Sequence, residues 1–124
     1  MLPYFTEKFG NPSSLYDTGL EAKAAVTHAR EQVAALIHAD PKEVFFTAGG
    51  TESDNWALFG ACDKLKEKGN HIITTKIEHH AILHSCAFLE KHGFDVTYVG
   101  IDKDGRVNLK ELEDAITDKT ILIS

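Results

Sequence analysis

Between Phe46 and Asn55 the chain reads Phe46-Thr47-Ala48-Gly49-Gly50-Thr51-Glu52-Ser53-Asp54-Asn55, with two glycines separating an apolar run from a helix-forming stretch. Glycine lets a backbone come close to a ligand, and the first turn of a helix offers unpaired N–H groups and a partial positive charge. Such a place can hold a phosphate. Thr51 suits two compatible uses. Its hydroxyl can cap the helix, with Asp54 three positions on in the manner of a capping box, or hydroxyl and N–H can serve a phosphate. On spacing alone a plain strand-to-helix turn is the better description, because the lysine of a P-loop and the spacing of a dinucleotide fingerprint are both missing.

The second group is Lys76-Ile77-Glu78-His79-His80, just after the apolar run His71-Ile72-Ile73-Thr74-Thr75. An imidazole can stack on an aromatic ring and also move a proton near neutral pH, which suits a ligand carrying both a ring and a phosphate. A lone histidine at a helix start is more often a surface or capping residue, so His79 alone does not decide the matter. In open parallel sheets ligands gather beyond the carboxyl ends of the strands, which puts His79 and Gly50-Thr51 along one expected edge.

Two other patterns fail on inspection. His80 and His84 are spaced to share a helix face, but Glu78-His79-His80 is not the His-Glu-x-x-His order and no third ligand is evident, so no metal site is expected. Asp102-Lys103-Asp104-Gly105 starts like a calcium loop, yet glycine falls at its fourth place and Arg106 at its fifth. It reads as a turn into a helix capped near Asn108. Cys62 and Cys86 form neither a Cys-x-x-Cys pair nor a disulfide framework, and each is expected to pack in an amphipathic segment.

The elements that must position these residues follow from periodicity. Turn formers at Phe9-Gly10-Asn11-Pro12-Ser13-Ser14 precede Ala22, Ala25, Val26, Ala29, Val33, Leu36 and Ile37, a long helix with one buried stripe that Asp40-Pro41 ends. Residues 43–47 read as a short buried strand, 51–68 as a helix closed by Gly69-Asn70, and 71–75 as a β-branched strand. A helix over 79–92 with Gly93 as its C-cap, a strand over 94–99, a helix around Leu109 to Ile116 and a strand over 120–124 complete the rhythm. Alternation of this kind predicts an α/β fold, an α/β/α sandwich with a mainly parallel sheet. The whole of 1–124 is expected to be one part of a larger domain, with 1–14 as a leading segment and 15–124 as the alternating helices and strands. A last strand without a covering helix points the same way.

Of the 124 residues 43% are hydrophobic, enough for a core, and the formal net charge of -6 provides no positive field for nucleic-acid phosphates or anionic lipid. No apolar run approaches the roughly 20 residues that span a bilayer, and the first ten residues lack a signal-peptide core. A cytoplasmic protein that binds neither nucleic acid nor membrane is expected.

Taken in order, Phe9-Gly10-Asn11-Pro12-Ser13-Ser14, the Phe46 to Asn55 stretch and Glu78-His79 resemble the successive signatures of cysteine desulfurases, in the class V, fold-type I group of pyridoxal-phosphate enzymes. The resemblance covers essentially the whole chain, and the distance from Thr-Glu-Ser-Asp-Asn to Glu-His matches the family. It implies a homodimer that takes sulfur from L-cysteine, releases L-alanine and leaves a persulfide on an enzyme cysteine. That sulfur then passes to an acceptor or scaffold protein for iron–sulfur cluster assembly or thiolation. Carried over by position, Gly50 and Thr51 hold the phosphate of pyridoxal 5'-phosphate, and His79 stacks on its ring and assists proton transfers.

The departures are as specific. The family's Schiff-base lysine, its aspartate partner to the pyridine nitrogen and its sulfur-accepting cysteine all come downstream of the matched region. Lys76 belongs to the histidine motif, Cys62 and Cys86 are not in the mobile-loop position, and Leu15-Tyr16 stands where a histidine often follows Asn-Pro-Ser-Ser. The chain alone is therefore expected to be inactive. Alternatives are another class V enzyme, such as a selenocysteine lyase or an aminotransferase, and a non-catalytic scaffold or half of a split enzyme.

Overall fold

The computed structural model describes residues 1–124, which form two compact units, Met1–Phe46 and Thr47–Ser124. The first unit holds a short helix α1 (Pro3–Thr6), a long helix α2 (Asp17–Leu36) and a 3-10 turn at Pro41–Glu43. The turn formers before α2 behave as their chemistry dictates. The Asn11 side-chain oxygen accepts from Ser13 N–H at 2.9 Å, and Gly10 passes so close to Thr18 that a Cβ would lie 2.4 Å from its carbonyl oxygen.

Two expectations about α2 fail. Helix α2 buries only Gly19, Ala22 and Ala34, while Leu36 is 80% exposed and Val26 and Val33 are also open to solvent. Gly19 packs so closely that a Cβ there would lie 2.7 Å from the Asn11 carbonyl oxygen. The helix also ends before Asp40-Pro41, because His38 turns left-handed (φ 55°) and lets Ala39 N–H reach the Ala34 carbonyl at 2.9 Å. Asp40 opens the 3-10 turn through a reciprocal capping box with Glu43.

The strand expected over 43–47 does not form. A strand exists only through pairing, and the sheet contains no segment from this region. Val44 is buried and its carbonyl accepts from Arg30 Nε at 3.0 Å. Phe45 and Phe46 are 63% and 51% exposed, the Phe46 ring lying 5.4 Å below the Arg30 guanidinium.

The second unit runs α3 (Gly50–Leu65), β1 (His71–Thr75), α4 (His80–Glu90), β2 (Asp95–Val99), α5 (Leu109–Ala115) and β3 (Thr120–Ile123). The strands form a sheet in the order β2-β1-β3, and β1 pairs parallel with both neighbours. The α/β class and the parallel sheet are as the periodicity requires. Because β1 is central, Ile72 and Ile73 are fully buried, and the core joins Ile72 to Leu58 and Cys62 of α3 and Ile82, Cys86 and Leu89 of α4. His71 ties the sheet at the opposite end from the carboxyl edge. Its Nδ1 is 2.8 Å from the Thr120 hydroxyl and its Nε2 2.9 Å from that of Thr97. No helix is long and apolar enough to cross a membrane.

The turn chemistry mostly holds. Helix α4 ends at Glu90 with Lys91, not Gly93, as its C-cap, and left-handed Gly93 (φ 93°) lies in the turn that follows; Gly105 (φ 80°) closes the Asp102 turn, and Asn108 caps α5 by accepting from Glu111 N–H at 3.2 Å. Gly69 has a different role from the one expected, since α3 already ends at Leu65. A Cβ at Gly69 would stand 2.3 Å from the Lys119 carbonyl oxygen, so the residue is required where the chain enters β3. Gly69→Ala is expected to lower stability in urea by about 1–3 kcal/mol, as overpacking does. Gly60→Ala, inside α3 with its nearest neighbour 3.7 Å away, is expected to raise stability by up to about 1 kcal/mol.

Candidate functional site

Helix α3 starts at Gly50, preceded by Gly49 in an extended conformation (φ 172°, ψ 175°), and no side chain caps it. The Thr51–Asp54 capping box is thus not formed, because the helix begins one residue before Thr51. Instead the Glu52 carboxylate accepts from Ala48 N–H at 2.6 Å, and the Thr47 and Ser53 hydroxyls pair at 2.7 Å. A Cβ at Gly49 or Gly50 would meet nothing within 4 Å. The first-turn N–H groups therefore open onto a hollow of about 500 Å³ lined by Ala48, Gly49, Gly50, Thr51, Glu52 and Asn55.

His79 is the N-cap of α4 in extended conformation, and its Nδ1 accepts from Ala81 N–H at 3.1 Å. In that arrangement the neutral ring carries its proton on Nε2. The turn that delivers it from β1 is fixed by the Thr75 hydroxyl donating to the Glu78 carboxylate at 2.9 Å.

Thr51, Asn55, Phe59, His79, His80, Ser85 and Phe88 line one cleft of about 470 Å³. Thr51 and His79 thus face the same space, and Gly50 lies in the adjoining hollow, which shares Thr51 and Asn55 with the cleft. The sequence reading assigned no role to Asn55 or Ser85. Ser85 is buried, and its one hydroxyl proton is shared between two acceptors, the Ala81 carbonyl at 2.7 Å and the Asn55 side-chain oxygen. A serine on the apolar face of α4 was the only sign of it. His80 and His84 stand 5.0 Å apart between ring centroids, and no group of three or more His, Cys, Asp or Glu side chains is arranged to hold a metal ion.

Cys62 and Cys86 are free and buried, as amphipathic packing requires. Burial raises both thiols, Cys62 above its ordinary value and Cys86 from 9.0 to about 11, with Cys62 and two glutamates adding to the effect. Burial likewise raises the Tyr98 phenol from 10.0 to about 12, helped by Glu90. Groups whose folded pKa is raised hold protons that the unfolded chain has released, so their effect is to lower stability as pH climbs. Urea midpoints are expected to fall between about pH 9 and 12, and a disulfide reagent at pH 8 is expected to titrate neither thiol until the chain is unfolded.

The chain matches the aminotransferase class-V family over residues 1–124 and belongs to that family. Within it, the similarity runs to cysteine desulfurases. The chain is 59% identical over 124 residues to cysteine desulfurase IscS of Clostridium botulinum (strain Kyoto / Type A2), covering all of this chain and 31% of that protein. It is 56% identical to cysteine desulfurase IscS of Methanosarcina thermophila, with the same coverage. Among solved structures, a NifS-like protein superposes with a TM-score of 0.91 at 40% identity over 98% of this chain and 34% of that one. DndA from Streptomyces lividans superposes with 0.88 at 36% identity over 98% and 34%. The chain spans about a third of the length of the curated relatives it matches.

Proposed function

We propose that these residues are the phosphate-and-ring-binding part of a cytoplasmic, homodimeric cysteine desulfurase that uses pyridoxal 5'-phosphate to take sulfur from L-cysteine, giving L-alanine and an enzyme persulfide for an acceptor or scaffold protein of iron–sulfur assembly or thiolation. The observation that carries the proposal is the shared cleft of Thr51 and His79. A structure of a relative, SspA in complex with cysteine, superposes with a TM-score of 0.87 at 40% identity over 98% of this chain and 35% of that one, which supports the choice of substrate.

The residues present fit the cofactor. Its phosphate needs donors without a competing side-chain cap, and Gly50 and Thr51 supply N–H groups and a hydroxyl on an open hollow. When bound, pyridoxal phosphate supplies an electron sink for the bonds broken at the substrate. His79 supplies a flat face and a proton at Nε2, because Nδ1 is already engaged by Ala81 N–H. That bond also fixes the ring's tilt.

In this reading the chain lacks three groups the reaction needs: the Schiff-base lysine, the aspartate for the pyridine nitrogen and the sulfur-accepting cysteine. Residues 1–124 mixed with pyridoxal phosphate and L-cysteine are expected to yield alanine no faster than free cofactor does. Exchanged for the matching segment of the Clostridium botulinum protein, the same residues are expected to yield an active desulfurase. Turnover by the short chain would refute the assignment of the missing groups. A folded chimera that is inactive would refute the desulfurase reading.

A further inference from the structure

Thr51 and His79 stand on different helices, and the apolar contacts between α3 and α4 have no direction of their own to fix how the two helix starts are spaced. One polar path does. The His79 Nδ1 accepts from Ala81 N–H at 3.1 Å, and the carbonyl of the same Ala81 accepts from the Ser85 hydroxyl at 2.7 Å. Ser85 then hydrogen-bonds Asn55, which lies one helical turn beyond Thr51 and lines both the cleft and the hollow. Ser85 is only 6% exposed, and a buried hydroxyl is costly unless partnered, so alanine would serve the core at least as well at this position.

We propose that Asn55 and Ser85 are positioning residues, an interhelical clamp that sets the distance from Thr51 to His79 so that one phosphorylated ring compound reaches both. The proposal rests on the cofactor reading above. Its consequence is a split between ligands. Inorganic phosphate needs only the start of α3, whereas a ring phosphate needs both helix starts at one spacing. Loss of the clamp weakens the second ligand and spares the first.

The test uses the 124-residue chain, labelled with 15N, and two probes: inorganic phosphate and pyridoxamine 5'-phosphate, which has the ring and the phosphate but no aldehyde to react with surface lysines. In Asn55→Ala and in Ser85→Ala, pyridoxamine phosphate is expected to bind about tenfold more weakly, while phosphate stays within about twofold of the parent. Because the two residues act as one unit, the double variant is expected to be no weaker than either single variant. At saturation the His79 ring signals are expected to stop following the Thr51 amide. If the parent binds neither probe, the cofactor reading fails and the clamp fails with it. If the parent binds both and the variants bind pyridoxamine phosphate equally well, the clamp alone is overturned. Equal loss of both probes also overturns it, since that is the signature of general damage to the fold. Asn55 is only partly buried, so its variant keeps the test open should Ser85→Ala unfold.

Discussion

Thr51→Asp is expected to weaken the binding of pyridoxamine phosphate to the chain by about a hundredfold or more, and to strip pyridoxal phosphate from the chimera. The replacement removes a hydroxyl whose charge-assisted hydrogen bond contributes about 1.5–3 kcal/mol, and it places a second negative charge beside the phosphate. Each 1.4 kcal/mol is tenfold in affinity. The fold should not suffer, because a carboxylate in the first turn is favoured by the helix dipole. Binding and stability are thereby separated: melting unchanged or raised, ligand lost. Thr51→Ser keeps the hydroxyl and should bind within a few-fold of the parent. A Thr51→Asp chain that retains the ligand would remove the start of α3 from the site.

The other large effect is at His79. In the active chimera, His79→Phe keeps a flat ring over the cofactor but has no proton to move, so kcat is expected to fall by about 10²- to 10⁴-fold with cofactor still bound. His79→Ala loses the ring as well, and should lose cofactor along with rate. Both variants also lose the cap on Ala81 N–H, a cost of about 1 kcal/mol. His79→Asn controls for that loss, since asparagine caps well but offers neither a ring nor an imidazole proton. Should the asparagine variant recover the rate, His79 would be only a cap.

Much of this was legible in the residues because local chemistry decided it. The β-branched run 71–75 became the central strand and Asn108 capped α5. The carboxyl end of β1 delivers His79 to the cleft it shares with Thr51, while Thr51 reaches that cleft at the start of α3 with no strand before it. What the sequence could not show depends on partners distant in the chain. Residues 43–47 have strand composition, yet the sheet takes in no segment from them, and Arg30 binds the Val44 carbonyl.

Other misses are matters of one residue or one close approach. The end of α2 is set by His38 turning left-handed, which no propensity rule favours strongly over the Asp40-Pro41 signal. The start of α3 at Gly50 moves Thr51 from cap to first turn, which removes the capping use from the two it suited. Gly69 read as a helix stop because its real constraint, the Lys119 carbonyl, lies fifty residues further along. The Asn55–Ser85 bond spans two helices and leaves no periodic trace.

A titration of the 15N-labelled chain with pyridoxamine phosphate, followed at the Gly50 and Thr51 amides and at the His79 ring nitrogens, is the most direct check on a single ligand held by both helix starts. All three are expected to shift along one saturation curve, with the ligand's phosphorus signal moving in step. Separate curves, or a His79 ring that stays silent while the α3 amides respond, would contradict it.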